Sequence, residues 1–259
     1  MCTRLNTCAP VLVAYQFGDL ATCEARGALT CELAQGLAGV GGAWPTSACT
    51  GATSSATCEQ VLERDFGAAC TPAPGTLIDG MACFAGRQCK GGACKSAKGQ
   101  TCGVCGPAQD AAGPCTNHGD CKGALRCFNG NCGKFRLAGE SCGANLPMCR
   151  LDLFCSGGTC TKPAGAGQAC DKTHPLSCAY LTQSLWCKAG TCAKMKFATA
   201  GEACDADTIC PANLCIEASK TCGAFAKDGE ACDDTTKPCI EPADCVAGLC
   251  KLPNPASCK

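Results

Sequence analysis

Too few large apolar residues are present to build an ordinary hydrophobic core. Aromatic residues are 5% of the chain, and the 46% apolar share is inflated by cysteine and alanine. No apolar run approaches the about 18 residues of a transmembrane helix, so no membrane span is expected. Lys+Arg and Asp+Glu are 22 each, and a neutral chain is not steered as a whole toward nucleic acid or an anionic membrane. His118 and His174 stand far apart, and zinc would need a histidine pair or a second C-x-x-C, so no metal or other cofactor is expected. No G-x-S-x-G or H-E-x-x-H phrase occurs, and a cysteine nucleophile would need a free thiol beside a histidine. The chain does not read as an enzyme.

What is abundant is cysteine, 33 of 259 residues, a density of the kind found in disulfide scaffolds. Successive cysteine groups are about 28 residues long, too short to fold on apolar burial, so staples must substitute. A disulfide closing about 15 residues contributes roughly 3 kcal/mol. Bonds at this density persist in an oxidising space, which places the protein outside the cell or on its surface. Residues 1–20 do not read as a signal peptide: Asn6, Pro10 and Gln16 interrupt the apolar run, and Cys2 and Cys8 belong to the fold. A leader removed or lying outside this chain is expected.

Residues 1–70 differ from the rest. Leu5, Cys8, Leu12 and Tyr15 share one helical face, Gly18-Asp19 ends that helix, and Cys23, Gly27, Cys31 and Ala34 share the next. Residues 36–47 read as a loop whose Trp44 packs in a core. Thr57-x-x-Gln60 predicts a capping box before a third helix carrying Val61 and Leu62. The expectation is a small three-helix domain tied by disulfides, followed by a linker over 71–79 that contains Thr71-Pro72-Ala73-Pro74-Gly75.

A repeat array then begins. Cys83, Cys115, Cys142, Cys170, Cys204 and Cys232 open units over 80–110 (with the C-x-x-C of Cys102 and Cys105), 111–136, 137–164, 165–197, 198–226 and 227–252. Residues 253–259 read as the start of a further unit. Cysteine, two residues, glycine, one residue, cysteine closes units at 127–132, 155–160, 187–192 and 245–250, and the first unit at 89–94. Glycine there permits positive φ, and Asn129-Gly130 is a strong hairpin signal, so each unit is expected to end in a short β-hairpin. The fifth departs, because six residues without glycine separate Cys215 from Cys222. Four cysteines allow three connectivities. First-to-third and second-to-fourth pairing clamps the hairpin to the loop before it. This predicts Cys142–Cys155 and Cys149–Cys160, with Cys232, Cys239, Cys245 and Cys250 bonded in the same way. The fold class expected is small and disulfide-rich: a disulfide-tied helical domain, then an elongated array of short β-hairpin cysteine-rich repeats.

Phe135, Phe197 and Phe225 each precede the next unit's first cysteine by seven residues, in F-x-x-x-G-E-[SA]-C. They are expected as plugs buried between units, with an exposed binding stripe as the rival reading. Acidic residues flank the first cysteines and basic ones follow the fourth, which reads as a solvated surface or as lateral self-association. Asp205, Asp207, Asp233 and Asp234 offer oxygen ligands for calcium, without EF-hand spacing. Cys102-Gly103-Val104-Cys105 lacks a redox context and reads as structural; Gly106 stands where a haem-attachment motif needs histidine. Thirty-three cysteines cannot all pair. Regional counting leaves Cys258 over, so Cys258 is expected unpaired or bonded to another molecule.

The G-x-x-C, C, L-x-C, C-x-x-G-x-C units resemble the Dickkopf N-terminal cysteine-rich repeat. Tandem units behind a helical cysteine-containing region and a P-G-T-L phrase, here Pro74-Gly75-Thr76-Leu77, resemble exported bacterial cysteine-rich surface proteins and lipoproteins. The resemblance covers most of 75–258 and more loosely 1–70, and implies a disulfide-bonded extracellular array. The Dickkopf partner does not follow from it. The expected role is a binding or adhesion module that meets a protein or glycan at the cell surface. The alternative is a subunit that assembles with itself into a layer or fibre, and a calcium-binding module comes third.

Overall fold

The computed structural model describes residues 1–34, 36–42, 45–97, 100–233 and 235–258. Trp44 and Asp234 lie outside the described residues. Thirty-two cysteines are disulfide-bonded, and the one left is Cys31, an exposed thiol.

One local template recurs six times. Its first part is a join residue that pairs in parallel with the segment around the second cysteine: Leu77 with Cys89, Gln109 with Cys121, Arg136 with Cys149, Ala164 with Cys178 and Ala226 with Cys239. In the fifth unit the same pairing joins β10 (Lys196–Phe197) to β11 (Thr208–Ile209). A turn follows whose leading residue has positive φ (Gly80, Ala112, Gly139, Gly167, Gly201, Gly229). Its N–H donates to the carbonyl of the last cysteine of the unit's core (Cys105, Cys132, Cys160, Cys192, Cys222, Cys250). This turn explains the repeated G-E-[SA]-C. The carboxylates of Glu140, Glu202 and Glu230 accept from the N–H groups of Leu137, Thr199 and Lys227 at 2.7, 2.6 and 3.1 Å. Gln168 does the same for Gly165 at 2.7 Å. The acidic residue is therefore a turn cap, a role a neutral amide also fills.

The hairpins complete each unit. They are β4 (Arg126–Phe128) with β5 (Asn131–Gly133), β6 (Phe154–Ser156) with β7 (Thr159–Thr161), and β8 (Leu185–Lys188) with β9 (Thr191–Lys194). β14 (Asp244–Val246) pairs with β15 (Leu249–Lys251). The fifth unit also has one, β12 (Cys215–Ile216) with β13 (Thr221–Cys222); Lys220, at φ 52°, supplies the left-handed turn without glycine. Two cysteines face each other across every hairpin, yet each bonds elsewhere. Units two to six pair first with third and second with fourth, including Cys142–Cys155, Cys149–Cys160, Cys232–Cys245 and Cys239–Cys250. These sulfurs make the cores: Cys142, Cys149, Cys160 and Leu153 form one buried cluster.

The first unit departs from the expected hairpin at 89–94. Cys89 is its second cysteine and Cys94 its third, bonded to Cys105 and Cys83. The hairpin runs instead from β2 (Gly92–Lys95) to β3 (Gly103–Pro107), with β1 (Ala82–Cys83) on the other edge of β3. Cys102 falls in the long connection before β3, has no partner within the unit, and bonds Cys258. Cys258 is thus paired, correcting the expectation. Counting by region failed because the surplus lay in the helical segment.

Within 1–70 the described residues form five α-helices rather than three, and a short 3-10 turn at Ala68–Cys70. Pro10 starts α2 (Pro10–Phe17) at a break after α1 (Cys2–Cys8), because it cannot continue the hydrogen-bond ladder. α3 spans Leu20–Ala34. α4 (Ser47–Ser55) is capped by the Thr46 hydroxyl, and α5 (Cys58–Glu63) carries the Thr57/Gln60 capping box. These helices are not one domain. The chain divides into Met1–Thr30 with Lys162–Pro253, and Cys31–Thr161 with Asn254–Lys259.

In the first of these units, α2 buries Val11, Val13 and Ala14, while Leu12 is only half-buried. Val11 and Ala14 pack with Met195 and Ile209, flanked by Tyr15, Trp186 and by Tyr180 of α6 (Tyr180–Gln183). Arg26 of α3 donates to both carboxylate oxygens of Asp228 at 2.7 and 2.9 Å, and to the carbonyls of Ile240 and Glu241. In the second unit the buried Arg150 meets Glu59 and Glu63 of α5 at 2.9 and 3.0 Å, and Asp152 at 2.6 Å.

The phenylalanine plug is corrected. Phe197 is 42% exposed, whereas the next residue, Ala198, is 8% exposed, and Ala226 after Phe225 is 1% exposed. At these two joins the buried position belongs to the alanine that follows the ring, whereas Arg136 follows Phe135. Phe135 and Phe225 are half-buried. Phe135 meets Phe128 edge to face at 5.2 Å, and Phe225 lies about 4.0 Å from where a side chain on Gly18 would begin.

Candidate anion-binding groove

The residue after the second cysteine is basic in the first three repeats: Lys90, Lys122 and Arg150. The parallel pairing holds it in place, since the N–H groups of Lys90, Lys122 and Arg150 donate to the carbonyls of Leu77, Gln109 and Arg136. Arg150 is consumed by its three carboxylates. Lys90 and Lys122 instead border a groove of about 920 Å³ in the second unit, with Arg64, Arg87, Lys134 and Phe66 also on its walls. That volume lies within the roughly 300–1,000 Å³ of ligand clefts.

Local structure sets each cation. Arg64 is the left-handed C-cap of α5, at φ 54°. Arg87 lies in the short helical turn before Cys89. Lys134 follows β5. Pro72 and Pro74, both exposed, form an apolar lip.

The groove's charge is not matched. Residues 64–136 hold nine Lys/Arg against four Asp/Glu. Lys122 pairs with Asp110 at 2.8 Å, and the Asp65 carboxylate accepts from the Gly67 N–H. Among the described residues, Arg64, Arg87, Lys90 and Lys134 have no acidic partner. Arg87 Nε is buried with no hydrogen-bond partner, and such a donor is uncommon enough to require a reason. The crowding of cations reaches neighbouring groups. Burial first, then Arg126 and Arg64, hold His118 below its ordinary pKa. Burial and then Arg64 do the same to Arg126. His118 Nδ1 accepts the Cys127 N–H at 3.1 Å, which fixes the neutral ring.

The carboxylates considered for calcium are engaged locally. Asp205 accepts from the Asp207 N–H and the Thr208 hydroxyl. Asp207 pairs with Lys188. Asp233 accepts from the N–H and hydroxyl groups of Thr235 and Thr236, the Thr236 hydroxyl included, which holds its pKa far below the carboxylate range. His174 is exposed, beside Asp171 at 2.9 Å.

Grouping the basic residues after the fourth cysteine picked out Lys134 and missed Lys90, Arg87 and Arg64. The signal that finds Lys90 is a basic residue directly after the second cysteine, visible only once the repeats are aligned on their parallel joins. No helix among the described residues is long and apolar enough to cross a membrane. No protein-family model, curated protein or solved structure matches this chain.

Proposed function

We propose that the chain is an extracellular or cell-surface binding module, a disulfide-stapled frame whose groove receives an anionic partner. The observation that carries this reading is the set of four cations, Arg64, Arg87, Lys90 and Lys134, gathered on one groove without acidic partners in a chain of zero net charge. Like charges gathered on one groove repel one another, and an anionic ligand there would relieve that repulsion. The disulfide density supports an oxidising, exported setting. The likeness of the cysteine pattern to Dickkopf-type surface repeats points the same way.

The test is binding of fluorescein-labelled polyglutamate as ionic strength rises. Each charge contact in a wet groove is worth about 1 kcal/mol, so Lys90→Gln with Lys134→Gln should weaken binding roughly thirtyfold at low salt. Both side chains are exposed, so thermal stability should move by less than about 0.5 kcal/mol. Binding that ignores both salt and the double substitution would overturn the reading.

A further inference from the structure

A second cleft, of about 570 Å³, lies between the second and third repeats and shares Lys134 with the basic groove. The β4–β5 hairpin forms one side. Its tip residue Asn129 donates from Nδ2 to the Ala144 carbonyl at 2.8 Å, fixing it against the 143–148 loop of the next repeat. Gly133 keeps the floor low: a Cβ there would stand 3.0 Å from Pro147 and 3.6 Å from Phe128. Phe128 and Phe135 meet edge to face, at 70°, and both line the cleft. Arg136 lines it too. Its Nε is buried without a partner, as Arg87 Nε is in the neighbouring groove. Asn131 and Asn145 add amide groups, and Glu140, whose carboxylate accepts the Leu137 N–H at 2.7 Å, also lines the cleft.

This set matches an acidic sugar better than the other polyanions. A pyranose has an apolar C–H face that packs on an aromatic ring. Its hydroxyls each donate and accept, and amide side chains answer both. A ring carboxylate takes the guanidinium in a charge-assisted pair. An acidic peptide would gain most by adding a strand to a free sheet edge. The outer edge of β5 is already used, since Cys132 N–H donates to the Gly113 carbonyl and Pro114 bridges Asn131. Resting on the anion-binding reading, we propose that the partner is a uronic-acid oligosaccharide. One sugar ring sits against Phe128 and Phe135 with its carboxylate on Arg136, and the chain continues past Lys134 into the basic groove.

Calorimetric titration of the full chain with oligogalacturonate, charge-matched polyglutamate and a single-stranded oligonucleotide tests this. Oligogalacturonate should bind at least about tenfold more tightly than either comparator. Arg136→Gln and Asn145→Ala should weaken oligogalacturonate about tenfold and leave polyglutamate within about twofold. Asn145 is an exposed loop residue, so its variant tests the cleft even if Arg136→Gln is less stable. Equal affinity for polyglutamate and oligogalacturonate, or tighter binding of the oligonucleotide, would overturn the sugar assignment while leaving the anion-binding groove. Failure of all three ligands to bind would remove both.

Discussion

In the unit of Met1–Thr30 with Lys162–Pro253, α1, α2 and most of α3 accompany the last three repeats. In the unit of Cys31–Thr161 with Asn254–Lys259, α4 and α5 accompany the first three. Each unit ties helix to repeat with one poorly exposed arginine. Arg26 of α3 reaches Asp228 of the sixth repeat, and Arg150 of the third repeat reaches Glu59 and Glu63 of α5. The parts are alike, but the charges are used differently. The first unit has 11 basic and 13 acidic residues, the second 11 and 9. In the first, carboxylates such as Glu202, Asp205, Glu230 and Asp233 cap backbone turns. In the second, Glu140 and Asp120 cap turns in the same way, but four cations also gather on one groove without an acidic partner. Zero net charge therefore conceals a local concentration of unmatched bases.

The arginine ties offer the hardest way to break this comparison. Arg150→Ala would leave Glu59, Glu63 and Asp152 facing one another without a counterion. Arg150 is 9% exposed at its side chain, but Glu59 is 66% exposed, so solvent limits the penalty. The expected cost is about 2–4 kcal/mol, below the upper range for fully buried pairs. Arg26→Ala strands one partly exposed carboxylate and two carbonyls, and should cost about 1–3 kcal/mol. Chemical denaturation of both variants measures the difference. Equal losses would mean that the two ties are interchangeable.

A smaller effect tests whether the acids are structural. Backbone donation from Thr199 holds Glu202 below the ordinary carboxylate range, and Lys227 does so for Glu230. A carboxylate depressed in the folded state contributes stability that is present above its unfolded value, near pH 4.5, and is lost as pH falls through the folded one. Glu202→Gln should preserve the cap, as Gln168 shows in the fourth repeat, and should remove that part of the acid sensitivity. Glu202→Ala should lower the melting temperature at neutral pH. If Glu202→Gln melts like Glu202→Ala, charge rather than hydrogen bonding was the contribution.

The cysteine spacing made the repeat, the hairpins and the crossed pairing of units two to six readable, because a short stapled loop has few geometries. It misled where one phrase could be reached in two ways. C-x-x-G-x-C at 89–94 joins the second and third cysteines, whereas at 155–160 it joins the third and fourth. The Thr57/Gln60 capping box is local and was legible. The partner of Cys102, 156 residues away, was not. Periodic Phe135, Phe197 and Phe225 implied burial, but which residue of the join the backbone pairing buries, Ala198 rather than Phe197, is something spacing does not carry. The groove was hidden for the same reason. Arg64, Arg87, Lys90 and Lys134 come from a helix end, a short turn, a join and a strand end, and only folding puts them on one wall.

The subtlest difference between the units should appear at His118. Its Nδ1 accepts the Cys127 N–H, and burial together with Arg126 and Arg64 favours the neutral ring. Because the folded pKa is below the unfolded value near 6.5, the unfolded chain binds more protons between the two. Stability therefore rises with pH through that window and is fully present above about 6.5. Histidine chemical shifts followed against pH should show His118 titrating below the ordinary histidine value near 6.5. An anion bound in the groove would offset part of the Arg64 field, so saturating polyglutamate should raise the His118 midpoint by a few tenths of a pH unit, the size expected of a screened charge at partial exposure. A His118 midpoint unchanged by saturating polyanion would mean that the anion does not approach Arg64, and would confine binding to the Lys90 and Lys134 end of the groove.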